Sequence, residues 1–185
     1  MITKILKWGI SLGRIILLKI KYGDKLKLEH KQNKKPVYIG KKVNISICKN
    51  ASLSLGGGTY ISDNCKIEIM EDSNSNIGEN VYIGQNSRIE IRTDFFIGDD
   101  TLLADNVSIY DHDHRFQDNI PIYRQGYNKS PIYISNDCWL ATNVVVLKGS
   151  VIESHVVVGA NAVVSKKLDA NSVYVGNPIM KLKSI

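Results

Sequence analysis

Two histidines, His112 and His114, stand close together in a polar and aromatic stretch of the chain, residues 111–133. A neutral imidazole near pH 7 can take the proton from a hydroxyl group as a new bond forms, and such a general base contributes about 10²–10⁴-fold in rate. A solvated turn histidine is the alternative interpretation of either residue. The same stretch carries side chains able to hold a sugar face or an anionic glycan: Arg115, Phe116, Tyr123, Arg124 and Tyr127.

Metal and disulfide chemistry receive little support from the residue types. No third histidine converges on His112 and His114 at metal-ligand spacing, so the sequence predicts no metal site. The three cysteines are odd in number and have no CxxC spacing, so neither a disulfide framework nor a zinc knuckle is indicated; they are Cys48, Cys65 and Cys138. A reducing cytoplasm is the simplest compartment for such a chain.

A six-residue repeat surrounds the histidines and must position them. Aliphatic residues recur at a constant step of six on either side of residues 111–133: Ile97, Leu103, Ile109, then Ile134, Leu140, Val146, Ile152, Val158 and Val164. Four residues after most of them comes a small or compact residue: Thr101, Val107, Cys138, Val144, Ser150, Val156 and Ala162, with Leu168 closing the series. Neither the helix period of 3.6 nor the strand period of 2 explains a strict six, so the pattern indicates a structural repeat.

Hexapeptide repeats are typical of an all-β fold, the parallel β-helix, in which three short strands joined by tight turns make one coil. We therefore predict a basic N-terminal segment, residues 1–35, and a β-helix domain, residues 36–185, interrupted by one long loop, residues 111–133. Loops of that length inside a compact repeat are usually functional. The pattern starts raggedly at Pro36 and slips by two residues at Asp94.

The run from Ile134 to Lys166, with Gly176-Asn177-Pro178 after it, resembles the left-handed β-helix acyltransferases, also called hexapeptide-repeat acyltransferases. It is similar in particular to their O-acetyltransferase branch, which includes galactoside, maltose and capsular or lipopolysaccharide O-acetyltransferases. The resemblance covers residues 77–183 well and residues 37–76 loosely. It implies a left-handed coil, acetyl-CoA as donor, and a homotrimer with sites between subunits.

The resemblance also implies which histidine is the catalytic base. The segment from Ile109 to His114 lies without a gap over the catalytic-histidine segment of the family, which favours His114. A one-residue difference in loop length leaves His112 as the alternative, and the other histidine would then orient the base or bind acceptor. Because no Ser-His-Asp arrangement is visible, direct attack within a ternary complex is favoured over an acyl-enzyme.

The donor site follows from the same resemblance. Trp139 is expected to point outward and to wall the donor and acceptor site, while Cys138 takes a small-residue position and is expected to pack rather than react. The coenzyme A-binding positions carried over from the family are Thr142, Gly159, Ala160, Ser165 and Lys166, with Lys183 as a further phosphate contact. The basic residue that the family places after the Gly-Asn-Pro turn is Met180 here.

Charged residues near the slip at Asp94 have two interpretations, a solvated face of the coil or a set of partners for sugar hydroxyls. The residues that we predict to contact the acceptor are Arg88, Arg92, Asp94, Arg115, Tyr123 and Tyr127.

The positive charge is confined to one end of the sequence. The chain has 24 basic and 18 acidic residues, a net charge of +6, but residues 1–35 hold ten basic against two acidic residues, 10 − 2 = +8. The remainder therefore carries 14 basic against 16 acidic residues, or −2. A nucleic-acid-binding protein needs a basic stripe across its folded body, so we predict no nucleic-acid partner.

Residues 2–22 mix many aliphatic residues with a polar stripe at Lys4, Lys7, Ser11 and Arg14, which follows helical spacing. The longest unbroken apolar run is too short to span a bilayer, and no small-residue cleavage site follows it, so neither a membrane span nor a signal peptide is expected. An amphipathic basic helix can lie on anionic lipid or can cap the end of the repeat, and both interpretations stay open.

The N-terminal helical module that marks galactoside and maltose acetyltransferases is not recognisable. We therefore expect an acetyl-CoA-dependent O-acetyltransferase that modifies a sugar hydroxyl in a bacterial polysaccharide or its precursor, polymeric or lipid-linked. The expected location is the cytoplasm, at the inner face of the membrane. Amino-sugar N-acetylation and a non-enzymatic β-helix scaffold are the alternatives.

Overall fold

The computed structural model describes residues 2–30 and 34–185, with side chains from Leu6 onward. Helix α1 spans Ile2–Tyr22, and short 3₁₀ segments lie at Gly23–Lys25 and Ile122–Arg124. In chain order the strands are β1 (Leu26–Glu29), β2 (Tyr38–Ile39), β3 (Asn44–Ile47), β4 (Ser52–Gly56), β5 (Tyr60–Ile61), β6 (Lys66–Ile69), β7 (Asn74–Ile77), β8 (Tyr82–Ile83), β9 (Arg88–Ile91), β10 (Phe95–Ile97), β11 (Leu102–Leu103), β12 (Ser108–Tyr110), β13 (His112–His114), β14 (Tyr127–Lys129), β15 (Ile132–Ile134), β16 (Trp139–Leu140), β17 (Val145–Leu147), β18 (Val151–Ile152), β19 (Val156–Val158), β20 (Val163–Val164), β21 (Lys167–Leu168), β22 (Ser172–Val175) and β23 (Met180–Ser184).

Three sheets form the walls of a parallel β-helix. Sheet A has the strand order β1-β4-β7-β10-β15-β18-β21, sheet B has β2-β5-β8-β11-β16-β19-β22-β23, and sheet C has β20-β17-β12-β9-β6-β3. Within each sheet the neighbours are parallel, except that β23 runs antiparallel to β22. The chain visits sheets A, B and C in turn, so three successive strands make one coil. The predicted β-helix of hexapeptide repeats is confirmed.

The interior of the coils is filled by the repeat residues. All nine aliphatic residues of the six-residue series, from Ile97 to Val164, are fully buried. The compact residues four positions later are buried as well. Their small side chains leave room for the turn at each corner. At the turns that lead from sheet B to sheet C, asparagines adopt a left-handed conformation, which asparagine tolerates better than most residues: Asn64, Asn86, Asn106, Asn143 and Asn161.

The raggedness of the early sequence comes from the length of the coils. Ile61 pairs with Ile83 at an offset of 22 residues, whereas later coils have offsets of 20 and then 18 residues. The extra residues collect at the turns that lead from sheet C to sheet A, which we call the C–A corner. Shortening of this corner from coil to coil explains the slip at Asp94, and the long interruption at residues 111–133 leaves the β-helix at the same corner.

The β-helix begins earlier than the sequence indicated. Strand β1 lies inside the segment that we assigned to residues 1–35, and it pairs with β4 through Leu26 opposite Leu53. Leu26 is fully buried, so the boundary at residue 36 is corrected to Leu26. A four-residue alternation within a lysine-rich run is too short a signal to separate from a solvated segment. Lys31, counted in the basic segment, lies outside the described residues.

Helix α1 caps the open edge of the first coil. The predicted helix at residues 2–22 is confirmed, and it packs on β1 and β2. Ser11 Oγ accepts a hydrogen bond from the Ile39 backbone N–H at 2.7 Å, and the Arg14 guanidinium donates to the Ile39 carbonyl oxygen at 2.8 Å. Trp8 meets Tyr38 edge to face, with ring centroids 5.2 Å apart. The capping interpretation of this segment is therefore confirmed.

The same edge is completed by three further side chains. Lys19 Nζ donates to the Leu26 carbonyl oxygen at 2.8 Å in sheet A, and Tyr22 Oη donates to the Ile45 carbonyl oxygen at 2.8 Å in sheet C. Lys25 Nζ reaches the carbonyl oxygen at Cys48, 3.1 Å away. Together with the hydrogen bonds of Ser11 and Arg14 to Ile39 in sheet B, these contacts give partners to exposed backbone groups at the edges of all three sheets.

The orientation of α1 follows from this capping. Its polar residues Ser11 and Arg14 face the coil, because the coil edge offers backbone groups that need partners, and several aliphatic residues are left pointing away. We call these the apolar face of α1: Leu6, Ile10, Leu12, Ile16, Leu17 and Ile20, each 46–77% exposed. In the part of the chain that the structure describes, no helix is long and apolar enough to cross a membrane.

Replacing Ser11 tests the capping contact. Ser11→Ala leaves the buried Ile39 N–H without an acceptor, and we expect the free energy of unfolding to fall by about 1–3 kcal/mol. Leu12→Ala, at an exposed position one residue away, should change it by less than about 0.5 kcal/mol. Urea unfolding at one fixed protein concentration measures both values, and equal effects of the two substitutions would contradict the capping role of Ser11.

Candidate active site

The long interruption is an ordered hairpin at its base. Strand β13 pairs antiparallel with β14, so that His112 lies opposite Lys129 and His114 lies opposite Tyr127. The pairing brings the two histidines and Tyr127, which are distant in sequence, to one corner of the β-helix. Nearer the tip, the Gln125 amide donates to the carbonyl oxygens of Asp118 and Ile120 and holds the loop on itself.

Asp111 anchors the hairpin to the preceding coil. Its fully buried carboxylate accepts hydrogen bonds from the backbone N–H of Arg92 at 2.9 Å and of Thr93 at 2.6 Å, and from Thr93 Oγ1 at 2.6 Å. His112 Nδ1 lies 3.0 Å from the same carboxylate. When Nδ1–H donates to Asp111, a neutral His112 keeps its free lone pair on Nε2. Asp111 therefore fixes both the position of the hairpin and the orientation of His112.

Tyr127 is the centre of an aromatic and cationic cluster. The Arg92 guanidinium lies over its ring at 3.8 Å from the centroid. His114 packs at 4.6 Å between centroids in a tilted arrangement, and His112 meets the ring edge at 5.2 Å. Sequence analysis named these residues for two separate roles, base and acceptor contact, and in the structure Arg92, His112 and His114 each contact the Tyr127 ring.

The two histidines differ in their access to solvent. The His112 side chain is only 12% exposed, whereas His114 is exposed. Asp113, between them, points the other way: its carboxylate lies 3.3 Å from Lys148 Nζ of the next coil and accepts a hydrogen bond from Asn128 at 3.1 Å. The hairpin is therefore tied to the coils before and after it, with His114 on its open side.

The remaining predicted acceptor residues are spread more widely. Arg88 pairs with Glu90 at 3.1 Å on the outer surface of sheet C, next to Lys66, which is the solvated-face alternative for that residue. Asp94 accepts a hydrogen bond from the Asn74 backbone N–H at 3.2 Å. Arg88 is thus held by a neighbour in sheet C, and Asp94, in the turn before β10, is held by the first residue of β7 in sheet A.

Arg115 and Tyr123 lie in the outer part of the loop. Arg115 lines a cavity of about 320 Å³ together with Phe116, Gln117, Asp118 and Asn128. Tyr123 is exposed near the tip, where its hydroxyl accepts a hydrogen bond from Arg124 Nε at 2.8 Å. Both side chains are exposed and available to a large acceptor, and Arg115 directly follows His114 in the chain.

A second cavity of about 230 Å³ opens beside the cluster at the C–A corner. Its lining residues are Cys48, Met70, Glu71, Asp72, Arg92 and Lys129. Among the described residues, Arg92 Nε is buried and has no hydrogen-bond partner. Sequence analysis gave no role to Lys129 or to Asp111. The only available signal for Asp111 was its position immediately before His112, and nothing in the sequence pairs Lys129 with His112.

The predicted coenzyme A residues lie in three separate places on the β-helix. Trp139 lies in β16 of sheet B, and Thr142, Gly159 and Ala160 lie in turns that lead from sheet B to sheet C. Ser165 and Lys166 lie at the C–A corner, on the edge from which the hairpin leaves. Lys183 is exposed on β23, opposite Val173. Within one copy of the chain, sheet C therefore lies between Trp139 and the histidines.

Two residues of this region have structural roles that their contacts explain. A side-chain carbon at Gly159 would lie 2.8 Å from Val175 Cγ1, so a larger residue there would force the Val175 side chain of the last coil to move. The Cys138 thiol donates to the Glu153 carbonyl oxygen at 3.2 Å, and burial raises the pKa of this thiol. A buried thiol with a raised pKa is a poor nucleophile, which agrees with the packing role expected for Cys138.

Trp139 is half exposed on the outer surface of sheet B, as the sequence indicated. It stands in register with Leu102 on one side and Val157 on the other. This row gives the C-terminal coils an apolar strip on the wall that faces away from the histidines. Within the described residues, no group of three or more His, Cys, Asp or Glu side chains is arranged to hold a metal ion.

Comparison with known proteins agrees with this architecture. Residues 131–166 match the family model of the bacterial transferase hexapeptide (six repeats). WbbJ of Escherichia coli K12, named for lipopolysaccharide biosynthesis as an O-acetyltransferase, is 40% identical over 95 residues, which cover 47% of this chain and 48% of that protein. The chain spans less than half the length of the first curated relatives it matches, between 31% and 48%.

Solved structures give the same result at the level of the fold. A maltose O-acetyltransferase from Clostridium difficile 630 is 28% identical, with a TM-score of 0.58 over 80% of this chain and 68% of that one. The N-acyltransferase AntD from Bacillus cereus, solved with dTDP and coenzyme A, has a TM-score of 0.73 at 23% identity over 90% of this chain and 87% of that one. At that identity the AntD likeness concerns the fold alone.

The architecture in which these matches fall is a parallel β-helix of hexapeptide repeats that carries a histidine hairpin at one corner. Residues 131–166 are the part of the chain that matches the hexapeptide transferase family model, and the first curated relatives that it matches are named acetyltransferases or O-acetyltransferases.

Replacing Asp111 tests the anchor of the hairpin. Asp111→Ala removes the acceptor for the backbone N–H groups of Arg92 and Thr93, and we expect the free energy of unfolding to fall by about 2–4 kcal/mol. Asp113→Ala, at an exposed carboxylate two residues away, should cost less than about 1 kcal/mol. Chemical denaturation measures both variants, and an Asp111→Ala protein as stable as Asp113→Ala would refute the anchoring role.

Proposed function

We propose that this protein is an acetyl-CoA-dependent O-acetyltransferase that modifies a hydroxyl group of a sugar in a bacterial polysaccharide or its precursor. The observation that carries the proposal is the cluster at the C–A corner, where an exposed imidazole, a buried Asp111–His112 pair and the Arg92–Tyr127 stack occupy one surface. The relatives that are named as sugar O-acetyltransferases support the acceptor class.

In the proposed reaction, the acceptor hydroxyl attacks the carbonyl carbon of the acetyl thioester directly. The oxygen–carbon bond forms as the carbon–sulfur bond breaks, and the hydroxyl proton passes to a histidine nitrogen. The same imidazolium then returns the proton to the departing coenzyme A thiolate, so the enzyme ends in its starting state. No covalent enzyme intermediate is needed, and the buried thiol of Cys138 is not offered as a nucleophile.

The base in this proposal is His114. Its ring is exposed beside Tyr127, where a sugar hydroxyl arriving from solvent can reach it. His112 is largely covered and its Nδ1 is engaged by Asp111 at 3.0 Å, so we assign it to positioning the hairpin on which His114 stands. Tyr127 and Arg92 supply an aromatic face and a cation beside the base, a combination suited to holding a sugar ring and an anionic substituent.

The donor groove in this proposal lies between two copies of the chain. Trp139, Thr142 and Ala160 are exposed on the far side of sheet C from the hairpin, so they cannot wall a site around His114 of the same copy. A homotrimer would place the hairpin of one subunit against the Trp139 wall of its neighbour. The exposed ammonium groups of Lys166 and Lys183 are available to the phosphates of coenzyme A.

Replacing the histidines tests the reaction and the identity of the base. With acetyl-CoA and a saccharide acceptor, His114→Ala should lower kcat/KM by at least about 100-fold. His112→Asn keeps a side-chain N–H that can donate to Asp111 but has no basic nitrogen, and we expect it to retain activity within about tenfold of wild type. Thiol release and acetylated product are measured together.

The controls separate loss of chemistry from loss of structure. His155→Ala, at a turn far along the chain, should leave the rate unchanged, and His114→Ala should bind acetyl-CoA with the wild-type affinity in calorimetry. A 100-fold loss in His112→Asn with full activity in His114→Ala would reverse the assignment of the base. Absence of acetyl-CoA binding by the wild-type protein would favour the scaffold alternative, and acetylation of amino sugars alone would favour N-acetyl transfer.

Mixed subunits test whether the site lies between copies. His114→Ala and Trp139→Ala are each expected to be nearly inactive, but random mixing in one trimer creates interfaces that combine an intact His114 with an intact Trp139. About a quarter of all interfaces would then be complete, and about a quarter of the wild-type activity should return on co-expression. A mixture no more active than the separate variants would place both residues in the same subunit's site.

A further inference from the structure

The apolar face of α1 has no function in the reaction proposed above. The helix faces the first coil with Ser11, Arg14 and Ile15, and the aliphatic residues Leu6, Ile10 and Leu17 follow the opposite side at a spacing of four and seven. Capping of the coil requires only the inner side of the helix. The outer side is nonetheless as rich in leucine and isoleucine as a core-facing helix surface, and large exposed apolar patches generally mark interaction sites.

Exposed basic residues are concentrated at the same N-terminal end of the β-helix as this face. Lys7 and Lys21 are exposed on α1, and Lys27 is exposed on β1. The turns of the first coil add three exposed lysines: Lys41, Lys42 and Lys49. Residues 1–49 contain 13 basic and two acidic residues, 13 − 2 = +11, whereas the rest of the chain has 11 basic and 16 acidic residues, or −5. Apolar surface and positive charge therefore coincide at one end of the molecule.

We propose that the apolar face of α1, with its surrounding lysines, binds the surface of a bilayer that contains anionic phospholipid. Aliphatic side chains at this position can enter the boundary between headgroups and acyl chains while the lysines meet lipid phosphates. A second copy of this chain is a poorer occupant, because pairing two such faces would bring two strongly basic ends together. A bilayer neutralises the lysines and covers the aliphatic residues in the same contact.

The test compares vesicle binding of wild-type protein with that of a double variant. Full-length protein is sedimented with vesicles of phosphatidylcholine alone and with vesicles that also contain phosphatidylglycerol. Wild-type protein should bind the phosphatidylglycerol vesicles, and added salt should weaken the binding. Leu17→Glu with Ile20→Glu should lower the partition coefficient at least about tenfold. Both side chains are exposed, so the variant should unfold at the wild-type temperature within a few degrees.

The matched control places the same two charges at the other end of the β-helix. Met180→Glu with Leu182→Glu alters residues of similar exposure on β23 and should change the partition coefficient less than about twofold. The proposal is overturned if wild-type protein ignores phosphatidylglycerol vesicles, or if both double variants bind equally well. A smaller oligomer in the Leu17→Glu, Ile20→Glu protein without lipid would assign the face to a second copy instead.

Membrane binding and acetyl transfer are tested independently, so one can be wrong while the other is right. The vesicle experiment contains no acetyl-CoA, and the exposed residues of α1 touch none of the residues assigned to the reaction. Leu17→Glu with Ile20→Glu should therefore acetylate a soluble saccharide at the wild-type rate while losing the vesicles. Conversely, His114→Ala should bind vesicles as the wild type does.

Discussion

Stacking of coils is the constraint on which the rest of this structure depends. Each strand satisfies its backbone groups through the coil before and the coil after it, so interior coils are complete and the two ends are not. The last coil is covered by β23, which turns back antiparallel on β22. Among the described residues no strand pairs with the outer edge of the first coil, and α1 supplies side-chain partners there instead. Ser11, Arg14 and Lys19 are used in this way, and the outward direction of the aliphatic residues is a consequence.

The same constraint explains why the candidate site lies at one corner. Aliphatic residues that fill the coils cannot move without disturbing the neighbouring coils, and neither can the paired strands. Turns are free to vary, and those between sheets C and A vary most in length. The hairpin that carries His112 and His114 leaves there, and a buried carboxylate at Asp111 replaces the backbone pairing that the chain gives up at that point. Because the sheets are rigid and Asp111 holds the base of the hairpin, the imidazoles are positioned more precisely than they would be on a free loop.

Sequence analysis predicted the β-helix because a strict step of six has few structural explanations. It also predicted α1 to its ends and the outward position of Trp139, since both depend on local spacing. It placed the start of the β-helix too late, because β1 offers only four residues and no repeat of six. The contacts among Arg92, Asp111 and Tyr127 lay beyond it, since they depend on which turns stack at one corner and on how the hairpin folds back. The direction in which α1 faces was equally inaccessible, because spacing defines two sides of a helix without saying which one meets the protein.

The variable perimeter of the coils has a consequence for how this scaffold can acquire new specificity. A coil of 22 residues and a coil of 18 residues stack without interrupting the sheets, since the difference is absorbed outside the paired strands. Extra residues at a C–A turn other than that of Arg92 and Thr93, which holds Asp111, would therefore extend the surface there and leave the buried residues of the coils unchanged. The C–A corner can serve as a grafting position, where segments of different length and chemistry change the surface beside the hairpin without altering the buried interior of the coils.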